Sequence, residues 1–218
     1  MAPARSAEAG DTTREATSEA TREPMSETTG EATRGFVGSG RARGIAAAIS
    51  AAFAFAWFGW GMAAPTPGWL TLLLQIGRGL AVLVAILGIM LAARSPADST
   101  PMSDPAVARR YGSVVGVEFA VLALGGIVLT NTLGAEWVPV WFCAGVGIHF
   151  IPLSRVFRER SLMILGALVT IVAAAALVVG VTTDVAPGTI AGSGTGLCLL
   201  GSAAVTLVDR RRYTARAA

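Results

Sequence analysis

The chain contains no lysine: all 17 of its basic residues are arginine, and charged residues of either sign make up only 14% of its 218 positions. It has one histidine, His149, two cysteines, Cys143 and Cys198, and two tyrosines, Tyr111 and Tyr213. Each scarcity removes a class of chemistry. One histidine excludes bis-histidine haem ligation within a single chain and leaves no His-Glu-x-x-His zinc motif. The cysteines lie far apart and inside apolar runs, where they read as small packing residues and not as an exported disulfide. The run Gly192-Ser193-Gly194-Thr195-Gly196 invites comparison with a phosphate loop, but no Gly-Lys-Ser/Thr follows it. No metal site, cofactor or enzyme activity is therefore expected. The formal charge of +3 comes without a basic helix or an aromatic-interleaved groove, which argues against a nucleic-acid partner.

What the chain has is apolar length. Hydrophobic residues make up 53% of it and its mean hydropathy of +0.62 is too high for a soluble surface. Six apolar stretches, at 45–62, 69–93, 112–130, 137–154, 161–181 and 188–208, each approach the ~20 residues that cross ~30 Å of hydrocarbon. They predict an all-α membrane protein of six transmembrane helices, whose first partner is the lipid bilayer itself. Residues 1–44 are different material, rich in Thr, Glu, Ala and Arg with almost no bulky apolar side chain before Phe36. Such a segment buries too little to fold and reads as a disordered tail. Its glutamates at 15, 19, 23, 27 and 31 recur at helical spacing but offer no apolar face, and Pro24 interrupts them. Met25 is an alternative start. A leader this long, carrying both signs of charge, is unlike the short positive region of a secretory signal, so the first stretch is expected to stay as a span. Residues 209–218 form a basic tail.

Arginine placement sets the expected orientation. The segments 1–44, 94–111, 155–160 and 209–218 carry six, three, three and four arginines, and the links 63–68, 131–136 and 182–187 carry none. Arginine-bearing connections stay in the cytoplasm, so both termini are placed there and the molecule in the plasma membrane. Trp57, Trp60, Trp69, Trp137 and Trp141 cluster at the opposite ends of the spans, and Tyr111 and Tyr213 beside arginines, as interfacial anchors do. The cytoplasmic arginines, Arg210, Arg211 and Arg212 above all, offer contacts to anionic lipid heads. In the 94–111 loop, Ser103 and Asp104 are placed to cap a helix beginning near Pro105, ahead of the membrane. The short links predict that consecutive spans pack as antiparallel neighbours.

Association in lipid needs small residues that let backbones approach. Two tracks stand out: Gly112, Gly116 and Ala120 on the third span, and Gly188, Gly192 and Gly196 on the sixth. Both are expected to be helix contacts, within one bundle or between copies in a homo- or hetero-oligomer.

Three ionisable side chains fall inside spans: Arg78, Glu118 and His149. Each is costly in lipid and must face protein or water. At 1.5 Å per residue, Glu118 and His149 both lie ~9 Å from the arginine-bearing boundary, so a hydrogen bond between them is feasible if the third and fourth helices pack in register. Arg78 lies far from that level and leans the other way. It is expected to snorkel to the opposite headgroups, to pair with Gln75, Asn131, Glu136 or Asp184, or to touch a substrate or lipid head. Pro152 leaves the Ile148 carbonyl without its usual partner beside His149, which marks a bend and a polar pocket. Ser193 with His149 is a formal serine-protease pair, but their depths differ by ~15 Å.

The string Gly147-Ile148-His149-Phe150-Ile151-Pro152-Leu153-Ser154-Arg155, with Arg109-Arg110-Tyr111-Gly112 and Glu118, resembles an uncharacterised group of small bacterial multi-pass membrane proteins with a His-Phe-x-Pro-Leu segment at a span end. The resemblance covers mainly residues 109–155 and implies a shared site of Glu118 and His149, with no known activity. Two functions are weighed. One is a non-catalytic membrane component, such as a partner subunit, a lipid-organising element or a stress-response factor. The other is a small transporter or proton-coupled permease that passes protons between Glu118 and His149. Scarce polar residues in the spans and no detectable inverted repeat favour the first.

Overall fold

A computed structural model describes residues 40–96, 105–157 and 160–208. The tail before Gly40, the capping residues Ser103 and Asp104, and the basic tail 209–218 lie outside the described residues. The described residues form six α-helices and no strand: α1 (Gly40–Gly61), α2 (Gly68–Arg94), α3 (Pro105–Thr132), α4 (Val138–Phe157), α5 (Arg160–Thr182) and α6 (Pro187–Val208), with a 3-10 turn at Ala135–Trp137 before α4. Five of them are long and apolar enough to cross a membrane, with the qualifying part of α3 being Val115–Thr132; the apolar stretch Ala135–Ile151 is shorter. The third helix is already formed at Pro105, the first described residue of this stretch, well ahead of its apolar part. The tail expected to run to residue 44 is already helical from Gly40.

Neighbouring helices run antiparallel in an arc of order α2, α1, α6, α5, α4, α3, and α6 also touches α2 and α4. The order follows from where glycine lets backbones meet. A Cβ on Gly88 would sit 2.7 Å from the Gly44 carbonyl oxygen, which brings α1 and α2 into near-backbone contact. The Phe58 ring of α1 is seated between Gly77 of α2 and Gly196 of α6, where added Cβ atoms would lie 2.9 Å and 2.7 Å from it. Gly147 meets the backbone of Thr170, and Gly166 the carbonyl of Gly147, which joins α4 to α5. Around these crossings the core is made of Ala47, Ala51, Ala54, Ala81, Ala173, Ala176, Ala191 and Ala203 with Trp57, Phe58, Leu74, Val169 and Leu199. Small side chains dominate because, in lipid, close packing and not water exclusion drives helix association.

The two predicted small-residue tracks part company here. Gly192 abuts Gly61 and the Trp57 carbonyl, Gly196 abuts Phe58, and Gly188 abuts Pro139, so the sixth-helix track is a contact surface for α1 and α4. Gly112 and Gly116 have nothing within 4 Å of an added Cβ, and Ala120 is exposed. The glycines of the third-helix track therefore meet no described residue. That helix docks mainly on α4 and the 3-10 turn, and the residues that meet α4, among them Glu118, Leu122, Gly125 and Gly126, lie on another face. The expectation that consecutive spans are neighbours also fails once, between α2 and α3. Their link is the longest in the chain and does not force adjacency.

The five tryptophans gather at one end of the bundle, but only Trp69 is largely exposed, at 65%. Trp57 is buried, with Trp60 edge-on to it at 4.9 Å and Trp60 in turn 5.4 Å from Phe142. Trp141 points its indole N–H at the Leu122 carbonyl of α3, 3.0 Å away. Trp57 is a packing residue, which corrects its reading as an interfacial anchor, while Trp60 and Trp137 are partly buried and Trp141, like Trp69, stays exposed. At the arginine end, the Arg43 guanidinium donates to the Thr206 and Leu207 carbonyls at 3.1 Å each. The contact ties α1 to α6 and places Arg43 and the 206–207 stretch at the same end of the bundle.

Candidate functional site

The Glu118 and His149 side chains meet. Glu118 is on α3 and His149 on the antiparallel α4, and the Oε2–Nδ1 distance is 2.5 Å. Register is set by the contacts one to two turns along: Leu122 fills the space over Gly145, the Trp141 ring lies against Gly125, and Trp141 bonds to Leu122. Antiparallel pairing that matches 122 with 145 brings 118 opposite 149. The pair is 24% and 28% exposed, at the edge of the bundle and not in its interior. The His149 ring also lies 6.0 Å from Phe150. A carboxylate and an imidazole in this geometry can share a proton, and they can equally clamp two helices together.

Pro152 lies within α4, which continues to Phe157, so the proline does not terminate the helix; its side chain, like that of Arg155, lies outside the described residues. Ser154 is 7% exposed, and its hydroxyl turns back to the Ile151 carbonyl at 2.7 Å. The Ser193 hydroxyl likewise bonds Thr189 of its own helix, at 2.7 Å, and Ser193 sits beside Gly61 at the tryptophan end. His149 is committed to Glu118 near the other end, so Ser193 and His149 form no catalytic pair.

Polar groups elsewhere in the helices are satisfied locally. Thr130, Thr170, Thr182 and Thr206 all donate to the carbonyl four residues back, the usual way a hydroxyl is carried in an apolar helix. Sequence reasoning missed the junction of Cys143 and Thr195, both fully buried. Cys143 Sγ lies 3.0 Å from Thr195 Oγ1 and 3.3 Å from the Val169 carbonyl, tying α4, α5 and α6 together. Its only signal in the sequence is a threonine, Thr195, among the glycines of α6. Among the described residues no group of three or more His, Cys, Asp or Glu is placed to hold a metal.

Among the described residues Arg78 is not brought to Glu118 or to any other carboxylate, and no bond joins it to Gln75, Asn131, Glu136 or Asp184. Asn131 is spent on the Ile127 carbonyl, 2.7 Å away. The Arg78 guanidinium instead stacks on the Phe55 ring of α1, 4.1 Å from its centroid, and its buried Nε has no hydrogen-bond partner. A cation over a ring face recovers ~0.5–2 kcal/mol, which offsets only part of the ~2.5–3.5 kcal/mol that a central arginine costs a membrane helix. At the opposite end, a recess of ≈ 370 Å³ between α1 and α2 is lined by Arg41, Ile45, Ala48, Ile49, Ile89, Ala92 and Ala93. No protein-family model, characterised protein or solved structure matches the chain.

Proposed function

We propose that the protein is a non-catalytic component of the plasma membrane, crossing it six times with both termini in the cytoplasm, and that Glu118–His149 is a helix lock. The observation that carries this reading is the place of the pair. It clamps α3, a helix docked mainly on α4 among the other helices, while the interior of the bundle is closed by alanine, glycine and a Cys143–Thr195 bond. A permease needs a hydrated path, and the buried polar residues Ser154, Thr189 and Thr195 do not make one. Six crossings are supported by α4, whose 20 residues reach ~30 Å. Orientation is supported by the arginine bias. In this reading α3 presents its free face, including Gly112, Gly116 and Ala120, to lipid and to a partner helix. The recess beside Arg41, apolar with one cation at its rim, suits an anionic lipid.

The competing reading is the proton-coupled permease, and one observation favours it: a carboxylate and an imidazole in contact are both partly exposed. Two measurements on reconstituted protein separate the readings. A double-mutant cycle of Glu118→Gln and His149→Gln should give a coupling of about 0.6–1.7 kcal/mol, the range for polar contacts between membrane helices. A lumenal pH dye should report the same proton leak for wild type and Glu118→Gln liposomes. A proton flux present in wild type and abolished by Glu118→Gln would replace the lock with the permease.

A further inference from the structure

Arg78 is the charge that the proposed function leaves unexplained. It lies ten residues into α2, ~15 Å from the Gly68 end, and its side chain leans back toward that end. Phe55, the ring beneath it, is six residues from the end of α1, ~9 Å below Gly61. The guanidinium is thus held at the seam of α1 and α2, inside the apolar zone, with neither an ion pair nor a hydrogen bond to a described residue. Arginine does not shed its proton in proteins. A guanidinium here calls for an anionic acceptor from outside the described residues.

The surroundings say which kind. Thr71, Gln75 and Arg78 follow one another at i, i+4 and i+7, so they form one strip on α2 leading from the guanidinium toward the tryptophan end. Gln75 is exposed, and Thr71 already shares its hydroxyl with Thr66, 2.7 Å away, which fixes the top of the strip. Trp69, 65% exposed at the start of the same helix, marks headgroup level. The flanking side chains Leu72, Leu73 and Ile76 are all at least half exposed and face acyl chains. An acceptor that reaches Arg78 must therefore carry a negative oxygen down a polar strip while its remaining bulk lies among apolar side chains.

We propose that Arg78, seated on Phe55 and assisted by Gln75, binds the phosphodiester of a phospholipid in the leaflet at the tryptophan end. The planar fork of guanidinium N–H groups matches a phosphate, and the half-buried ring holds the fork in place. Local thinning of the bilayer brings the phosphate to the guanidinium. This site is separate from the arginine end, where cytoplasmic charges meet lipid non-specifically, and it does not rest on the lock reading of Glu118–His149.

The test is native mass spectrometry of the purified full chain titrated with phosphatidylglycerol, alongside thermal unfolding in detergent with phosphatidylglycerol, phosphatidylcholine or inorganic phosphate added. Wild type should retain one phospholipid more than Arg78→Gln, and its apparent affinity for that lipid should be at least tenfold higher. Phe55→Leu, which leaves the charge and removes the ring, should fall between them, and Arg41→Gln should leave the Arg78-dependent lipid in place. Equal retention by wild type and Arg78→Gln overturns the proposal. So does equal protection by inorganic phosphate alone, which would make the site one for a water-borne anion. If Arg78→Gln unfolds in detergent, Arg78→Lys supplies the same comparison: a point charge without the fork should weaken binding several-fold, and unchanged binding counts against it.

Discussion

Replacing Gly192 by alanine should harm the bundle, although the same change at Gly112 should not. A Cβ on Gly192 would collide with the Gly61 amide nitrogen and lie 2.6 Å from both the Gly61 Cα and the Trp57 carbonyl oxygen. Both are backbone atoms of α1, so no side chain can swing away. Restoring an ordinary contact of 3.4 Å at the Gly61 Cα and the Trp57 carbonyl alone requires α1 and α6 to part by about 0.8 Å, and clearing the closer Gly61 amide nitrogen requires more. Parting them loosens Phe58 from Gly196 and strains the Arg43 bonds at the far end. Overpacking of this kind costs about 1–3 kcal/mol. Gly112 has open space around it, and both variants gain the same ~1 kcal/mol of helix propensity. That gain cancels in the comparison, leaving the clash. Thermal unfolding in mild detergent, followed by the fluorescence of Trp57 and Trp60 at the crossing, should separate the two variants by roughly 2–12 °C, at 2–4 °C per kcal/mol. Equal melting temperatures would falsify the α1–α6 packing described here.

Removing the Arg43 bonds to α6 with Arg43→Gln should cost about 0.6–1.7 kcal/mol, the range for polar contacts between membrane helices. Amide exchange in the last turn of α6 should quicken, and Arg41→Gln, at an exposed neighbouring position, should leave it unchanged. Cys143, fully buried and bonded to Thr195, should resist N-ethylmaleimide in the folded protein and react fully once unfolded, as read by intact mass. Native labelling at Cys143 at the unfolded rate would show that the α4–α5–α6 junction is open. Thr195→Val should cost only ~0.6 kcal/mol, the average for a hydrogen bond between membrane helices.

The sequence by itself determined the class of structure and the lengths of its helices. Apolar runs of this length leave a membrane chain few options, because every backbone polar group must be satisfied within its own helix. That the third helix runs ahead of its apolar part was legible from a proline suited to a first turn, and the approach of Glu118 to His149 from equal depth on adjoining antiparallel helices. Which faces meet was not legible. The Gly112–Gly116–Ala120 track and the Gly188–Gly192–Gly196 track look alike in sequence, because a small residue permits close approach without saying which helix will approach. The tertiary structure decided between them: Phe58 fills the space between Gly77 and Gly196, Trp141 takes Gly125, and nothing takes Gly112. Trp57 likewise carries the composition of an interfacial anchor, yet it is buried, since a ring near a helix end goes to lipid or to core according to what lies across the seam. The same holds for Arg78, whose depth follows from counting residues. Its seat on Phe55 depends on the angle at which α1 and α2 cross, and that angle is fixed by Gly44 meeting Gly88 more than 40 positions away in the chain.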